Sequence, residues 1–245
     1  MERGNDPLSR ADAASVLQWW SDAGVDTLID EQPRDWLRPQ AREATFAVSK
    51  VETAPAAPHE DLPGQLDLFQ TFLRSSERLS YASPSAPRVC PSGDPSSGLM
   101  ILADMPTGED CAAGILMSGE AGRLFDRMLA AIGRDRNSVY LAAFSCLRSP
   151  DGRFSTEAAK DCATLARHHV GLVAPRALLL LGDACSRAML GLPVAKARGR
   201  WHEIPVYGGT VRALVTIPPT NLLNLPAAKA QAWADLQLLM EEVNR

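Results

Sequence analysis

From Leu99 onward, short apolar runs alternate with amphipathic stretches along the chain. Leu99–Ala103 (LMILA) runs into a polar, Pro-containing loop, as a strand buried on both faces does. Val139–Phe144, Ala177–Leu181 and Val211–Ile217 repeat that signature. Between them, Gly119–Gly133 places Leu124, Phe125, Met128, Leu129 and Ile132 on one side of a helix that Gly133 ends. Ser155–Leu172 opens on a capping pattern, Ser155 or Thr156 ahead of Glu157. Ala184–Leu190 follows the turn at Gly182, and Pro226–Val243 forms a closing helix. Strands alternating with helices predict an α/β fold: a three-layer α/β/α sandwich around a central, mainly parallel four-stranded sheet. Such sheets bind ligands beyond the carboxyl ends of their strands. The loops after Ala103, Phe144, Leu181 and Ile217 are therefore the informative ones.

The amino-terminal third reads differently. Residues 11–24 set Ala14, Val16, Leu17, Trp20 and Ala23 at helical spacing, with Gly24 as a stop. From about Arg38 to Gly64 the pattern is irregular and Pro-rich, as in a linker. A helix is expected over Gln65–Leu79, with Leu66, Leu68, Phe69, Phe72 and Leu73 as its apolar face. Tyr81–Gly98, with five Ser and four Pro, reads as loop. The division is thus a helical extension over 1–37, a linker over 38–64 and an α/β domain over 65–245.

Composition narrows the function classes. At 46% hydrophobic residues over 245 positions, the chain can bury a sizeable core. No run approaches the roughly 18 apolar residues of a membrane span, and MERGNDPLSR lacks the apolar stretch of a secretory signal. A cytoplasmic protein without a membrane partner is expected. Its five cysteines (Cys90, Cys111, Cys146, Cys162, Cys185) include no CxxC pair and read as free thiols. Neither GxxxxGK[ST] nor GxGxxG occurs, so a nucleotide cofactor has no support. His168 and His169 sit mid-helix about 100° apart, which reads as surface helix polarity rather than a metal grip. The net charge of -4 disfavours tight nonspecific DNA binding but leaves room for a local basic face.

Taken in order, the segments resemble the iron–sulfur-type (family-four) uracil-DNA glycosylases. LMILADMPTGED is similar to the family's strand followed by GEAPG and an acidic pair, and SGEAGRLFDRMLAAIG to its GRAGQLLDRMLAAIG helix. RNSVYLAAF resembles a strand that ends in Asn, and ALLLLGDACSRAMLG resembles VLVLLGGVAAKALLG. ARGRWHE and LLNLPAAKAQAWADLQLL follow the family's last segments, and VLQWWSDAGVDTLIDEQPRDWL looks like an extension of some bacterial members. The resemblance implies base flipping: extrusion of a uracil nucleotide into a pocket and hydrolysis of its N-glycosidic bond. That chemistry needs a group orienting water, an amide reading the uracil edge and a donor facing the leaving oxygen.

Residue by residue, the carry-over is incomplete. Asp104 matches the motif Glu, either as a shorter water-orienting carboxylate or as a cap of the turn that follows. Pro106 retains the family Pro, flanked by Met105 and Thr107. Met117 stands where a Phe would stack on the base, and Ala143 where the uracil-reading Asn would stand. Pro218 replaces the His of the HPS motif, leaving Asn221 as the nearest polar donor. Leu222 and Leu223 match a DNA-wedging loop or serve as core residues. Arg148 and Arg200, with Arg153, Lys196 and Arg198, could follow phosphates or form an ordinary solvated face. The family's four cluster cysteines fall on Ser76, Leu79, Leu147 (with Cys146 one residue early) and Cys162, so the iron–sulfur cluster is expected to be lost and no cofactor is expected. Three function classes follow. One is a base-excision DNA-repair glycosylase with weak or lost uracil excision, or with a pocket altered for a different damaged base. The second is a non-catalytic descendant that binds DNA transiently or a protein partner. The third is an interaction module whose amino-terminal helix docks a partner through Trp19 and Trp20.

Overall fold

A computed structural model describes residues 49–50 and 62–243, all within the second of the two units into which the chain divides, Phe46–Arg245. The expected helix at 11–24 and its Trp19 and Trp20 lie outside the described residues.

All four predicted strands form, as β3 (Leu99–Ala103), β4 (Tyr140–Ala143), β5 (Ala177–Leu181) and β7 (Gly209–Thr216). The sheet is larger than the four strands expected. Three further strands, β1 (Ser49–Lys50), β2 (Ser92–Gly93) and β6 (Trp201–Val206), give the order β1-β6-β7-β5-β3-β4-β2. Two-residue strands carry no periodicity to read, and Pro205 and Glu203 mask β6. The turn residues Tyr207-Gly208 between β6 and β7 were the available signal, and the two strands pair antiparallel there. The remaining antiparallel pair is β2 with β4; β4, β3, β5 and β7 run parallel, so the sheet is mixed but mostly parallel.

Helices flank the sheet, because alternate strand residues point to opposite faces. Leu99, Ile101, Leu179 and Leu181 pack with Phe125 and Leu129 of α3 (Gly119–Ala131) and Leu236 and Leu239 of α8 (Lys229–Val243). Met100, Leu102, Leu178 and Leu180 face Ala163, Ala166 and Val170 of α4 (Thr156–Val173) and Cys185 and Met189 of α5 (Asp183–Leu190). Ser155 caps α4, its hydroxyl accepting the Ala158 N–H at 3.1 Å. A third core joins Phe69 and Leu73 of α1 (Leu66–Ser75) to Leu79, Cys146 and Leu147. Short helices α2 (Gly108–Ala113), α6 (Val194–Ala197) and α7 (Pro219–Asn224) complete the fold.

Register decides where a site can form. Ala103 lies opposite both Ala143 and Leu181, and Leu181 opposite Thr216, so the loops after four strands leave the sheet along one line. The chain leaves β3 towards β4 and leaves β5 towards β7, in opposite directions. The crevice between the ends of β3 and β5 is the topological switch point, where such sheets bind ligands. Asp104 and Gly182 stand at its two lips.

Candidate functional site

Asp104 does not cap the turn that follows it. Its carboxylate crosses the switch-point crevice to the start of α5, where it accepts the Cys185 N–H at 2.8 Å and the Ala184 N–H at 3.2 Å. A helix amino terminus favours a negative charge at that spot. Burial nevertheless raises the Asp104 pKa, with the main-chain N–H bonds pulling the other way. Gly182 is required here twice over. Its φ of +132° disfavours a side chain, and any Cβ would collide with the Asp104 carboxylate.

The turn after Asp104 is closed by the second residue of the acidic pair that ends LMILADMPTGED. Asp110 is 4% exposed, and its carboxylate accepts the Thr107 N–H at 2.9 Å while the Thr107 hydroxyl accepts the Asp110 N–H. Its other oxygen accepts the Ser118 N–H and hydroxyl, both at 2.7 Å. One buried carboxylate thus ties the Pro106–Thr107 loop to the Met117–Ser118 turn. The T-x-x-D spacing of Thr107 and Asp110 is a capping box and was legible. The same turn is held from outside by Arg136. It donates to the carbonyls of Leu116 at 2.8 Å and Met117, while its Nε meets Asp126 at 2.6 Å. Met117 consequently sits at φ +54°, in the left-handed region that side chains seldom adopt. Gly122 leaves room for the Met117 carbonyl, which a Cβ would strike.

A cleft of about 580 Å³ opens between this turn and α7. Asp104, Met105, Met117, Pro218, Asn221 and Leu223 line it, so most of the residues singled out for a base pocket meet in one place. Ala143 does not join them. It ends β4 opposite Ala103, packs partly into the α3–α8 core, and lines a separate small cavity with Cys146 and Cys162. Pro106 is buried, and its carbonyl accepts the Arg148 guanidinium at 3.0 Å. Leu222 cannot wedge into DNA: at 2% exposure it is buried beside Leu124, Met128 and Leu236, whereas Leu223 is half-buried at the cleft. Arg200 reaches the Lys196 carbonyl at 3.3 Å and lies outside the cleft. Arg198 is not free to follow phosphates either, because it forms an ion pair with the fully buried Asp235 at 3.0 Å.

Of the cluster positions, Leu79 and Cys162 line the small cavity beneath α1, together with Cys146, whereas Ser76 and Leu147 do not. Leu79, Leu147, Cys146 and Cys162 are all buried. Burial pushes the Cys146 thiol up to about 12 and Cys162 up to about 11, so neither favours the thiolate a metal requires. Among the described residues no three His, Cys, Asp or Glu side chains converge to hold a metal ion. Two apolar-walled thiols do not fit a cluster that needs about four thiolates. His168 and His169, expected on the surface, are buried instead, because α1 covers that side of α4. Phe69 of α1 lies 5.2 and 5.1 Å from the two rings. His168 Nε2 meets the Pro63 carbonyl at 2.8 Å, and His169 Nε2 meets the Tyr140 hydroxyl at 2.9 Å.

Fold and site together define an α/β protein with a cleft at its topological switch point, walled by five acidic residues (Asp104, Glu109, Asp110, Glu120 and Asp183), two methionines and a Pro-led helix. The model of the uracil DNA glycosylase superfamily matches residues 90–237, and the chain belongs to that superfamily. It is distantly similar to the type-4 uracil-DNA glycosylase of Pyrobaculum aerophilum, 25% identical over 153 residues, which is 60% of this chain and 78% of the relative. The type-4 uracil-DNA glycosylase of Archaeoglobus fulgidus is 22% identical over 156 residues, 61% of this chain and 78% of the relative.

Proposed function

We propose that this chain binds DNA and admits an extruded base to the cleft between Met117 and Pro218, with uracil excision weak or lost. The observation that carries this reading is the engagement of Asp104. Both carboxylate oxygens already accept a main-chain N–H from α5, which opposes a role in orienting water against the sugar. Pro218 offers no side-chain donor to a departing base, and no histidine among the described residues lines the cleft. Losing one donor that faces a developing oxyanion costs about 10²–10³ in rate in well-studied enzymes. Ala143 cannot supply an edge-reading amide, and Met117 covers a base with polarizable but non-aromatic surface.

The alternative is a non-catalytic descendant of the glycosylase fold that binds DNA or a protein. The structural duty of Asp104 favours it over an enzyme with an altered specificity. Incubation with uracil-containing single-stranded DNA, then alkali, tests the reading. Intact strands with a retarded complex on a native gel are expected. Alkali-labile breaks at the uracil, at a rate abolished by Asp104→Asn, would overturn it.

A further inference from the structure

A second groove, about 950 Å³, lies on the other side of Asp104 between the amino-terminal ends of α4 and α5. It is continuous with the cleft, because Asp104, Met105 and Asp183 line both. We infer that this groove is the track for the backbone of a single-stranded nucleic acid whose extruded base enters the cleft. The inference rests on the proposed function above.

Arg153, Lys160, Arg167 and Arg187 line it, four cations in a chain whose net charge is -4. The two carboxylates present are already engaged: Asp104 on the α5 amides, Asp183 on Arg187 and the Val194 N–H. Arg167 is held on the carbonyls of Ala188 and Met189, fixing its charge at the groove wall. Arg153 and Lys160 are exposed and form no ion pair among the described residues. They are free to meet phosphates.

The groove also contains an aromatic ring. Phe154 stands between Arg153 and the Ser155 cap, braced edge-on against Phe144 at 5.3 Å and tilted against Tyr81 at 6.5 Å. Cations alternating with a braced aromatic suit a strand whose phosphates need charge and whose bases need a stacking face. A purely acidic peptide would leave the ring unused. Of the five cations suspected from the sequence, Arg153 lines this groove, whereas Arg148, Lys196, Arg198 and Arg200 line neither it nor the cleft.

The test is fluorescence anisotropy of the full chain with a labelled uracil-containing single-stranded oligonucleotide at 50 and 200 mM salt. The variants are R153Q/K160Q and, as a control of equal charge change, Arg176→Glu just before β5, at the opposite end of the strands. Each lost phosphate contact removes about 0.7 from the salt slope on single strands. Wild type should therefore gain about sevenfold more affinity than the double variant between the two salts. Arg176→Glu should follow wild type. If wild type binds and the double variant matches it at both salts, or Arg176→Glu weakens binding equally, the track is wrong and the DNA reading stands. If wild type ignores the oligonucleotide yet binds poly-glutamate, both fail and an acidic protein partner replaces them.

Discussion

The cleft beyond the strand ends and the cavity beneath α1 are the two places where glycosylase chemistry and a cluster would stand, and they are held in opposite ways. In the cleft, charge does the holding. Asp104 spans the switch point, Asp110 links two turns, and Arg136 clamps the carbonyls that keep Met117 in a strained conformation. Beneath α1, polar atoms are kept neutral. Two thiols are pushed far above neutrality, and Tyr140 and His169 share a buried hydrogen bond. The difference teaches that a pocket's shape can outlast its chemistry when ionised side chains bind main-chain groups rather than ligands. A metal site has no such second duty for its ligands, so apolar packing can take its place.

The comparison breaks most completely at Gly182. Changing it to Ala drives a Cβ into the Asp104 carboxylate at a backbone angle that resists any side chain. Displacing the carboxylate leaves two α5 amides without their acceptor. Together these cost about 4 kcal/mol, a fall in Tm of roughly 8–16 °C. Calorimetry showing a change under about 2 °C would mean that Asp104 is not fixed across the crevice. Asp110→Ala comes next. Three donors lose a buried charged acceptor, at about 3 kcal/mol and roughly 6–12 °C in Tm. A loss below about 1 kcal/mol would remove the link between the two turns.

The same contrast explains what was legible in the sequence. Strands β3, β4, β5 and β7 announced themselves because short apolar runs such as LMILA and ALLLL, bounded by turn residues and alternating with helices, suit strands buried on both faces. The line of loops followed from topology, and Asp104 and Pro218 meet in one cleft with Met117, whereas Ala143, expected beside them, lines a separate cavity. Hydrogen-bond duty was not legible. A carboxylate in a loop reads alike whether it faces water or a helix eighty residues on, as Asp104 does. The histidine pair was misplaced, and Leu222 was left open between a wedge and the core, because burial depends on what covers a helix: α1 arrives over the histidines from far along the chain, and Leu124, Met128 and Leu236 lie beside Leu222. Arg198 looked solvated until Asp235, 37 residues away, supplied its partner.

The neutral cavity should reveal itself through acid. Burial, reinforced by His168, pulls the His169 pKa from 6.5 down to about 3. The unfolded chain takes up this proton near pH 6.5, while the folded protein resists until about 3. The stability His169 contributes is therefore complete above 6.5 and lost progressively as pH falls through that window. The slope is at most about 1.4 kcal/mol per pH unit. His169→Gln keeps an acceptor for the Tyr140 hydroxyl and removes the titration. Urea midpoints between pH 7 and 4.5 should fall more steeply for wild type than for the variant. Parallel profiles would show that the imidazole is not kept neutral.

The smallest structural effect is expected at Asn221, where the comparison is sharpest. Its side chain is exposed and lines the cleft, and among the described residues it hydrogen-bonds only with the Thr220 hydroxyl, whose donation it accepts at 3.5 Å. Asn221→Ala should therefore shift stability by less than about 0.5 kcal/mol. Binding is a separate matter, because this amide can read a base edge from the α7 wall while Asp104 is engaged across the crevice. A hydrogen bond worth about 1 kcal/mol corresponds to roughly fivefold in affinity. The informative quantity is the ratio of affinities for a strand carrying uracil and the same strand carrying an abasic analogue. Wild type should prefer the base and Asn221→Ala should lose that preference at unchanged Tm. An unchanged ratio would take Asn221 out of the pocket, and a wild-type ratio of one would mean that no base enters the cleft at all.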